Sequence, residues 1–189
     1  MKIIAISGSL RATSLNTAVL HAAGRLAPAG VRIEIFEGIG NLPFFNSDLE
    51  GERLPEEVAN FRTVIGSSDG LLISSPEYAR GVAGVMKNAL DWLVGSHEFP
   101  NKPVALINTS PRANHALASL TITLETMSAR LVKDASITLP LLGTVNDAGS
   151  IAANAELAEP LRSALERYVG AIEAFARDGL PQGTTSRRA

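Results

Sequence analysis

The chain has 189 residues, of which 46% are hydrophobic and 19% are charged, with a formal net charge of −2 and no cysteine. This charge argues against a nucleic-acid module, which normally presents a basic face, and the lack of cysteine excludes disulfides, thiolate zinc sites and a catalytic thiol. The length suits one domain, which we expect to span residues 1–179.

Short aliphatic runs alternate with longer helical patterns along the chain. Consecutive apolar residues favour strands covered by helices on both faces, and we predict strands at 2–7, 32–36, 70–75, 103–109 and 132–139. The helical patterns predict helices at 14–26, 55–67, 81–94, 115–131 and 154–177. Strand–helix alternation requires right-handed crossovers. The prediction is therefore an α/β, doubly wound, five-stranded parallel sheet in the flavodoxin-like order 2-1-3-4-5.

Several segments lie outside these elements. Residues 37–54 and 140–153 exceed a simple connection, and loops of that length are usually functional or mobile. Residues 180–189 are polar and predict a flexible C-terminal tail. The apolar start of the chain is too short for a signal peptide, and no uncharged apolar stretch reaches the ~18 residues of a membrane span. We therefore expect a cytoplasmic protein without a membrane partner.

The stretch "GSLRATSLN", residues 8–16, follows the first predicted strand. In an open parallel sheet, ligands bind beyond the carboxyl ends of the strands, at the switch point between strands 1 and 3. A helix that begins there offers unpaired N–H groups with partial positive charge, which suit a phosphate. Hydroxyl and amide side chains add neutral donors and Arg11 adds one charge. The simpler alternative is that Ser14 only caps the helix and Arg11 is solvated.

Other phosphate-binding folds leave no trace in the sequence. The motifs G-x-x-x-x-G-K-[ST] and G-x-G-x-x-G are both absent, which argues against a nucleoside-triphosphate loop and a dinucleotide fold. A phosphatase of similar topology would need a nucleophilic cysteine after the first strand, and the chain contains none.

The stretch "SSPEYARGVAGVMKNALDW", residues 74–92, begins at the end of the third predicted strand. Pro76 restricts its own backbone and that of the preceding residue, and Gly81 and Gly84 permit close backbone approach. Together with residues 8–16, this stretch predicts a pocket with a phosphate end and a flat, backbone-lined end. Such a pocket suits flavin mononucleotide (FMN).

The sequence resembles the NADPH-dependent FMN reductase family, which includes quinone, azo-dye and chromate reductases. The matching pieces are GSLR at 8–11 with Ser14 and Asn16, LP at 42–43 with Asn46 and Asp48, and PEY at 76–78 with Gly81, Gly84 and KNALDW at 87–92. The resemblance implies a flavodoxin-like fold, bound FMN, and hydride transfer from NADPH or NADH through the flavin to an acceptor. Free flavin, a quinone, an azo compound and a metal oxyanion are the acceptor classes.

The resemblance also assigns roles to residues. Ser9, Arg11, Ser14 and Asn16 would hold the phosphate, Pro76, Glu77 and Tyr78 would border the isoalloxazine ring, and Gly81 would let the chain pass near it. The full predicted cofactor site is Ser9, Arg11, Ser14, Leu15, Asn16, Pro76, Glu77, Tyr78, Gly81, Ser110 and Arg112. We expect no catalytic side chain because the cofactor supplies the chemistry, and no metal site because the three histidines are scattered.

One piece departs from the family pattern. Relatives often carry a glycine-rich turn after strand 4, beside the pyrimidine edge of the flavin, whereas this chain reads "SPRANH" at 110–115. Pro111 has no N–H to donate. Side chains of Ser110, Arg112, Asn114 or His115 are the candidates to replace the missing backbone contacts.

The alternative function is a non-enzymatic FMN electron carrier of the flavodoxin type. Such carriers tend to be strongly acidic and to shield the ring with aromatic residues, so a net charge of −2 and one tyrosine in the ring loops favour a reductase. The family packs residues 81–94 against a partner subunit, which predicts a homodimer or homotetramer. The preference between NADH and NADPH and the physiological acceptor are open at this point.

Overall fold

A computed structural model describes residues 1–141 and 147–178. In chain order the elements are β1 (Lys2–Ser7), α1 (Leu15–Arg25), β2 (Arg32–Ile35), α2 (Glu56–Gly66), β3 (Gly70–Ser74), β4 (Glu77–Tyr78), β5 (Gly81–Val82), α3 (Gly84–Val94), β6 (Pro103–Asn108), α4 (Asn114–Thr126), β7 (Arg130–Leu131), β8 (Ile137–Thr138), α5 (Ala148–Ala153) and α6 (Ala155–Asp178). Short 3-10 turns lie at Glu37–Asn41, Ser47–Leu49, Gly51–Arg53 and Lys133–Ala135. None of the helices in these two ranges is long and apolar enough to cross a membrane.

The central sheet is parallel, with the order β2-β1-β3-β6 and with β7 and β8 both paired to the outer edge of β6. This arrangement confirms the predicted order 2-1-3-4-5. The fifth position, however, holds two short strands instead of the single strand predicted at 132–139. The hydroxyl of Ser136 accepts a hydrogen bond from the Leu106 N–H of β6 at 3.1 Å. In the gap between β7 and β8, a side chain therefore pairs with β6 in place of the backbone.

Other predicted boundaries also need correction. Helix α3 begins at Gly84, not at residue 81, because β4 and β5 form a hairpin that takes up residues 77–82. Helix α4 ends at Thr126, before Ser128, whose φ of 64° is incompatible with a helix. The segment predicted as a loop at 140–153 contains α5, which the carboxylate of Asp147 caps. The predicted tail, residues 180–189, lies outside the described residues.

Hydrophobic side chains fill both faces of the sheet. Alternate strand residues point to opposite faces, and Ile3, Ala5 and Leu72 pack with α1, α5 and α6. Their neighbours Ile4 and Ile73 pack with α2, α3 and α4 on the other face. Helices on both faces explain why the strand sequences are continuously apolar instead of alternating.

Arg62 of α2 holds the long segment after β2 against α3. Its Nε and Nη2 donate to the carbonyl of Trp92 at 2.9 and 2.6 Å, and its guanidinium also contacts both carboxylate oxygens of Glu50. The Trp92 indole and the Asn88 amide both donate to the carbonyl of Pro43, at 2.7 and 3.0 Å. These contacts hold the 37–54 connection against α2 and α3.

Tyr168 anchors α6 to the sheet. Its side chain is fully buried, and its hydroxyl lies 2.7 Å from the carbonyl oxygen of Leu71 and 2.8 Å from that of Pro103. A Cβ on Gly70 would lie 2.5 Å from the same hydroxyl, so only glycine leaves room for it. Burial raises the pKa of Tyr168 well above its ordinary value, which keeps the hydroxyl protonated and able to donate.

Tyr168→Phe should lower the free energy of unfolding by about 1–2 kcal/mol, because the single O–H that the Leu71 and Pro103 carbonyls share is lost. For a domain of this size the loss corresponds to a Tm roughly 2–8 °C lower, measurable by calorimetry. Tyr78→Phe is the matched control, since Tyr78 is 53% exposed. Equal Tm values for Tyr168→Phe and the wild type would contradict the anchoring role.

Candidate functional site

Two adjoining cavities lie at the carboxyl edge of the sheet, where β1, β3 and β6 end. The first has a volume of about 500 Å³ and is lined by Ser9, Arg11, Thr13, Ser14, Leu15, Asn16, Pro76, Tyr78 and Thr109. The second, of about 280 Å³, is lined by Asn16, Ser75, Pro76, Glu77, Asn108, Thr109, Ser110, Arg112 and Ala113. Because Asn16, Pro76 and Thr109 line both, the two cavities form one elongated site.

Hydrogen-bond donors surround the start of α1 in the first cavity. Ser14 is the N-cap residue, and its hydroxyl oxygen accepts from the Thr17 N–H at 3.3 Å, which leaves the hydroxyl proton available to a ligand. The first-turn N–H groups of α1 have no intrahelical acceptor. Arg11 is exposed and forms no ion pair with the residues that the structure describes. Neutral donors, a helix N-terminus and one cation form a set that suits a phosphate.

Asn16 connects α1 to the ends of two strands. Its buried side-chain oxygen accepts from the Ser74 hydroxyl at 2.9 Å and from the Thr109 hydroxyl at 3.3 Å. Among the described contacts its amide N–H groups have no protein acceptor, so they are available to a ligand in the cavity that Asn16 lines. Asn16 therefore fixes the position of the donors on α1 relative to β3 and β6.

Gly8 lets the loop after β1 lie directly on the loop after β3. Its N–H donates to the carbonyl of Ser74 at 2.8 Å. A Cβ at this position would collide with the side chain of Ser75, so any other residue would push the two loops apart and widen the site between them.

The β4–β5 hairpin, which no sequence pattern predicted, forms one wall of the site. Glu77 pairs with Val82 and Tyr78 pairs with Gly81 across a two-residue turn. The turn residues Ala79 and Arg80 have φ angles of 49° and 60°, a conformation that usually requires Asn or Gly. Since Ala-Arg is not a hairpin signal, residue-type reasoning could not have found this turn.

The turn after β6 forms the opposite wall and needs no glycine. Asn108 and Ser110 hold it together: the Asn108 amide donates to the Ser110 carbonyl at 2.8 Å, and the Ser110 N–H donates back at 3.2 Å. The Ser110 hydroxyl also accepts from the Arg112 N–H at 3.3 Å. No residue from 110 to 115 has a positive φ. Side-chain hydrogen bonds therefore shape this glycine-free turn.

The structure brings ten of the eleven predicted cofactor residues to these two cavities. Seven line the first cavity and Glu77, Ser110 and Arg112 line only the second, whereas Gly81 lies beside them in β5. The roles assigned to these residues remain predictions. Thr109 and Asn108 also line the site and were missed, although their position at the end of a predicted strand is the signal that would have found them.

An apolar cavity of about 470 Å³ adjoins the first one on its outer side. It is lined by Gly8, Leu10, Arg11, Phe44, Tyr78, Ala83, Gly84 and Val85. Phe44 is 91% exposed and Leu10 is 62% exposed. In contrast, Trp92 and four other apolar residues of α3 are buried inside the chain, whereas Val94 at the end of this helix is 64% exposed.

Comparisons with known proteins point in one direction. The family described as NADPH-dependent FMN reductase matches residues 1–140. An NAD(P)H-dependent FMN reductase of Pseudomonas aeruginosa is 41% identical over 112 residues, which are 58% of this chain and 60% of that protein. A quinone reductase of Pseudomonas putida is 42% identical over 123 residues, which are 59% of this chain and 64% of that protein. The match thus spans less than two thirds of the length of these curated relatives.

A solved structure is similar over nearly the whole chain. The flavoenzyme NAD(P)H:(acceptor) oxidoreductase FerB of Paracoccus denitrificans is 28% identical, with a TM-score of 0.72, over 92% of this chain and 97% of that one. This similarity confirms the flavodoxin-like fold independently of the strand order.

Proposed function

The chain belongs to the NADPH-dependent FMN reductase family, and from this membership we propose that it binds FMN and transfers electrons from NADPH or NADH to a small-molecule acceptor of the quinone class. The observation that carries the proposal is the set of donors at the start of α1, which opens onto an elongated site at the sheet edge. A relative that is 42% identical to part of this chain is a quinone reductase.

The first cavity fits the phosphate end of FMN. Ser9, Ser14 and Asn16 supply neutral donors, and Arg11 supplies the charge that a phosphate dianion requires. Several donors are needed because such a group has three terminal oxygens. Leu15 lies in the first turn of α1 and would contribute its backbone N–H.

The hairpin and the turn after β6 would hold the ring end. Pro76, Glu77 and Tyr78 line one side of the site, and Ser110 and Arg112 line the other. Gly81, which has no side chain, would keep the hairpin narrow where a ring passes. Bound FMN supplies the hydride chemistry, so the protein's part is to bind, orient and partly exclude water.

The apolar cavity beside Tyr78 and Phe44 is the place we propose for the acceptor. A quinone is flat and largely apolar, and Leu10, Val85 and Phe44 present apolar surface next to the proposed ring site. Such a cavity would select for shape and apolarity and would admit several aromatic acceptors.

We also propose that the protein is cytoplasmic and forms a homodimer or homotetramer. The exposed aromatic side chains of Phe44 and Tyr78 both line the apolar cavity beside the site. Exposed apolar groups gathered in this way mark an interaction surface. This surface, together with the adjoining Gly84 and Val85 of α3, is where a second copy would pack.

Arg11→Ala should weaken FMN binding roughly 10- to 150-fold, because a charge-assisted hydrogen bond of about 1.5–3 kcal/mol is lost. Riboflavin, which has no phosphate, should bind to the variant almost as it binds to the wild type. Fluorescence titration of both ligands measures the difference. Arg25→Ala is the matched control, since it removes the same charge from the opposite end of α1. Equal losses for FMN and riboflavin would show that Arg11 does not hold the phosphate.

Adding NADPH or NADH to the FMN-loaded protein without oxygen should bleach the flavin absorbance, and a quinone should restore it. A reductase reacts directly with the nicotinamide, whereas an electron carrier needs a separate reductase. A flavin that binds but stays oxidised on this addition would favour the electron-carrier alternative. Failure to bind FMN at all would exclude both functions.

Light scattering should give a particle at least twice the mass of one chain, and the Tm should rise with protein concentration. Phe44→Asp should shift the particle toward the monomer, because it places a charge in the proposed contact surface. Ile122→Asp, at a residue of α4 that is 64% exposed, is the control. A wild-type monomer at micromolar concentration would contradict the proposal.

A further inference from the structure

The β4–β5 hairpin is a weak element by itself. Only two residue pairs connect its strands, and an isolated two-stranded hairpin is at best marginally stable in water. Both turn residues, Ala79 and Arg80, adopt the left-handed conformation, which is unfavourable for residues with a Cβ. The hairpin must therefore be held in place by contacts with the rest of the protein.

Helix α4 lacks a capping side chain at its N-terminus. Its N-cap residue is Ala113, which has no side-chain oxygen and makes no capping hydrogen bond. Ser, Thr, Asp or Asn normally occupies this position and accepts from an N–H two or three residues further on. The residue three positions after Ala113 is Ala116, so its N–H needs an acceptor from elsewhere in the chain.

The Glu77 carboxylate meets both needs. Its Oε2 accepts the Ala116 N–H at 2.9 Å, across 39 residues of sequence. The bond places a negative charge at the positive end of α4, where it is favourable, and connects the hairpin to this helix. The hairpin strands also pack against α4, so the hydrogen bond sets the register of an existing contact.

The two elements joined in this way are opposite walls of one cavity. Glu77 and Pro76 line the 280 Å³ cavity on the hairpin side, and Ser110, Arg112 and Ala113 line it from the turn that leads into α4. Any movement of the hairpin away from α4 would open this cavity. The distance between the walls therefore depends on the Glu77–Ala116 hydrogen bond.

We propose that Glu77 is a positioning residue: by capping α4 from the hairpin, its carboxylate holds the two walls of the site at the separation that a bound flavin ring requires. In this role Glu77 transfers no proton. The proposal rests on the proposed function for the identity of the ligand. The tether between hairpin and helix can be tested without any ligand.

Glu77→Ala should weaken FMN binding about tenfold, a change equivalent to ~1.4 kcal/mol, and should alter the flavin absorbance of the bound state. Glu77→Gln should lose at most about threefold, because its amide oxygen still accepts the Ala116 N–H as a neutral and weaker partner. Glu56→Ala removes a carboxylate from the first turn of α2 and is the control for loss of helix-terminal charge alone. Its FMN affinity should match that of the wild type.

The variant with both Glu77→Ala and Ala113→Ser separates capping from tethering. The hydroxyl introduced at position 113 would supply a local cap to the same N–H group, so the helix regains its partner while the hairpin remains untethered. Thermal stability and the amide-exchange protection of α4 should recover toward wild-type values. FMN affinity and the exchange protection of the hairpin should stay as low as in Glu77→Ala.

Recovery of FMN affinity in the double variant would overturn the proposal, since Glu77 would then be only a helix cap. Unchanged hairpin exchange in Glu77→Ala would overturn it too, with no ligand required. If the wild-type protein bound no FMN, the proposed function would fail, and hairpin exchange would still decide whether Glu77 is a tether.

Discussion

The buried side chain of Asn16 is the contact on which the site depends. Its oxygen accepts hydrogen bonds from the hydroxyls of Ser74 and Thr109. Ser74 ends β3, and Thr109 directly follows β6. Because a buried acceptor is costly to leave unpaired, this arrangement holds the start of α1 against the ends of β3 and β6. The donors around that helix terminus and the two loops beyond the strands therefore keep fixed relative positions.

The surroundings of this contact divide the site into chemically different parts. The α1 end is rich in hydroxyl and amide donors with one arginine, whereas the outer side beside Phe44 and Tyr78 is apolar. The first part suits a phosphate and the second suits a flat aromatic molecule. Arg62 contributes at a distance, because its bonds to Glu50 and to the Trp92 carbonyl hold the segment that carries Phe44.

The walls between these parts are built from residues with weak local preferences. The hairpin turn uses Ala79 and Arg80 in left-handed conformations, and α4 begins at an alanine that cannot cap it. The hydrogen bond between Glu77 and Ala116 stabilises both elements. Sequences usually break local rules of this kind at functional sites, where the surrounding structure offsets the cost.

Local sequence patterns predicted the strand order, the helices on both faces and the donor-rich segment at the start of α1. Those features follow from local periodicity and from residues close together in the chain, such as Ser9, Arg11 and Ser14. The hairpin at 77–82, the divided fifth strand and the pairing of Glu77 with Ala116 became visible only in the folded chain. Each of these depends on a partner that is 30 or more residues away, and no local pattern encodes a partner at that distance.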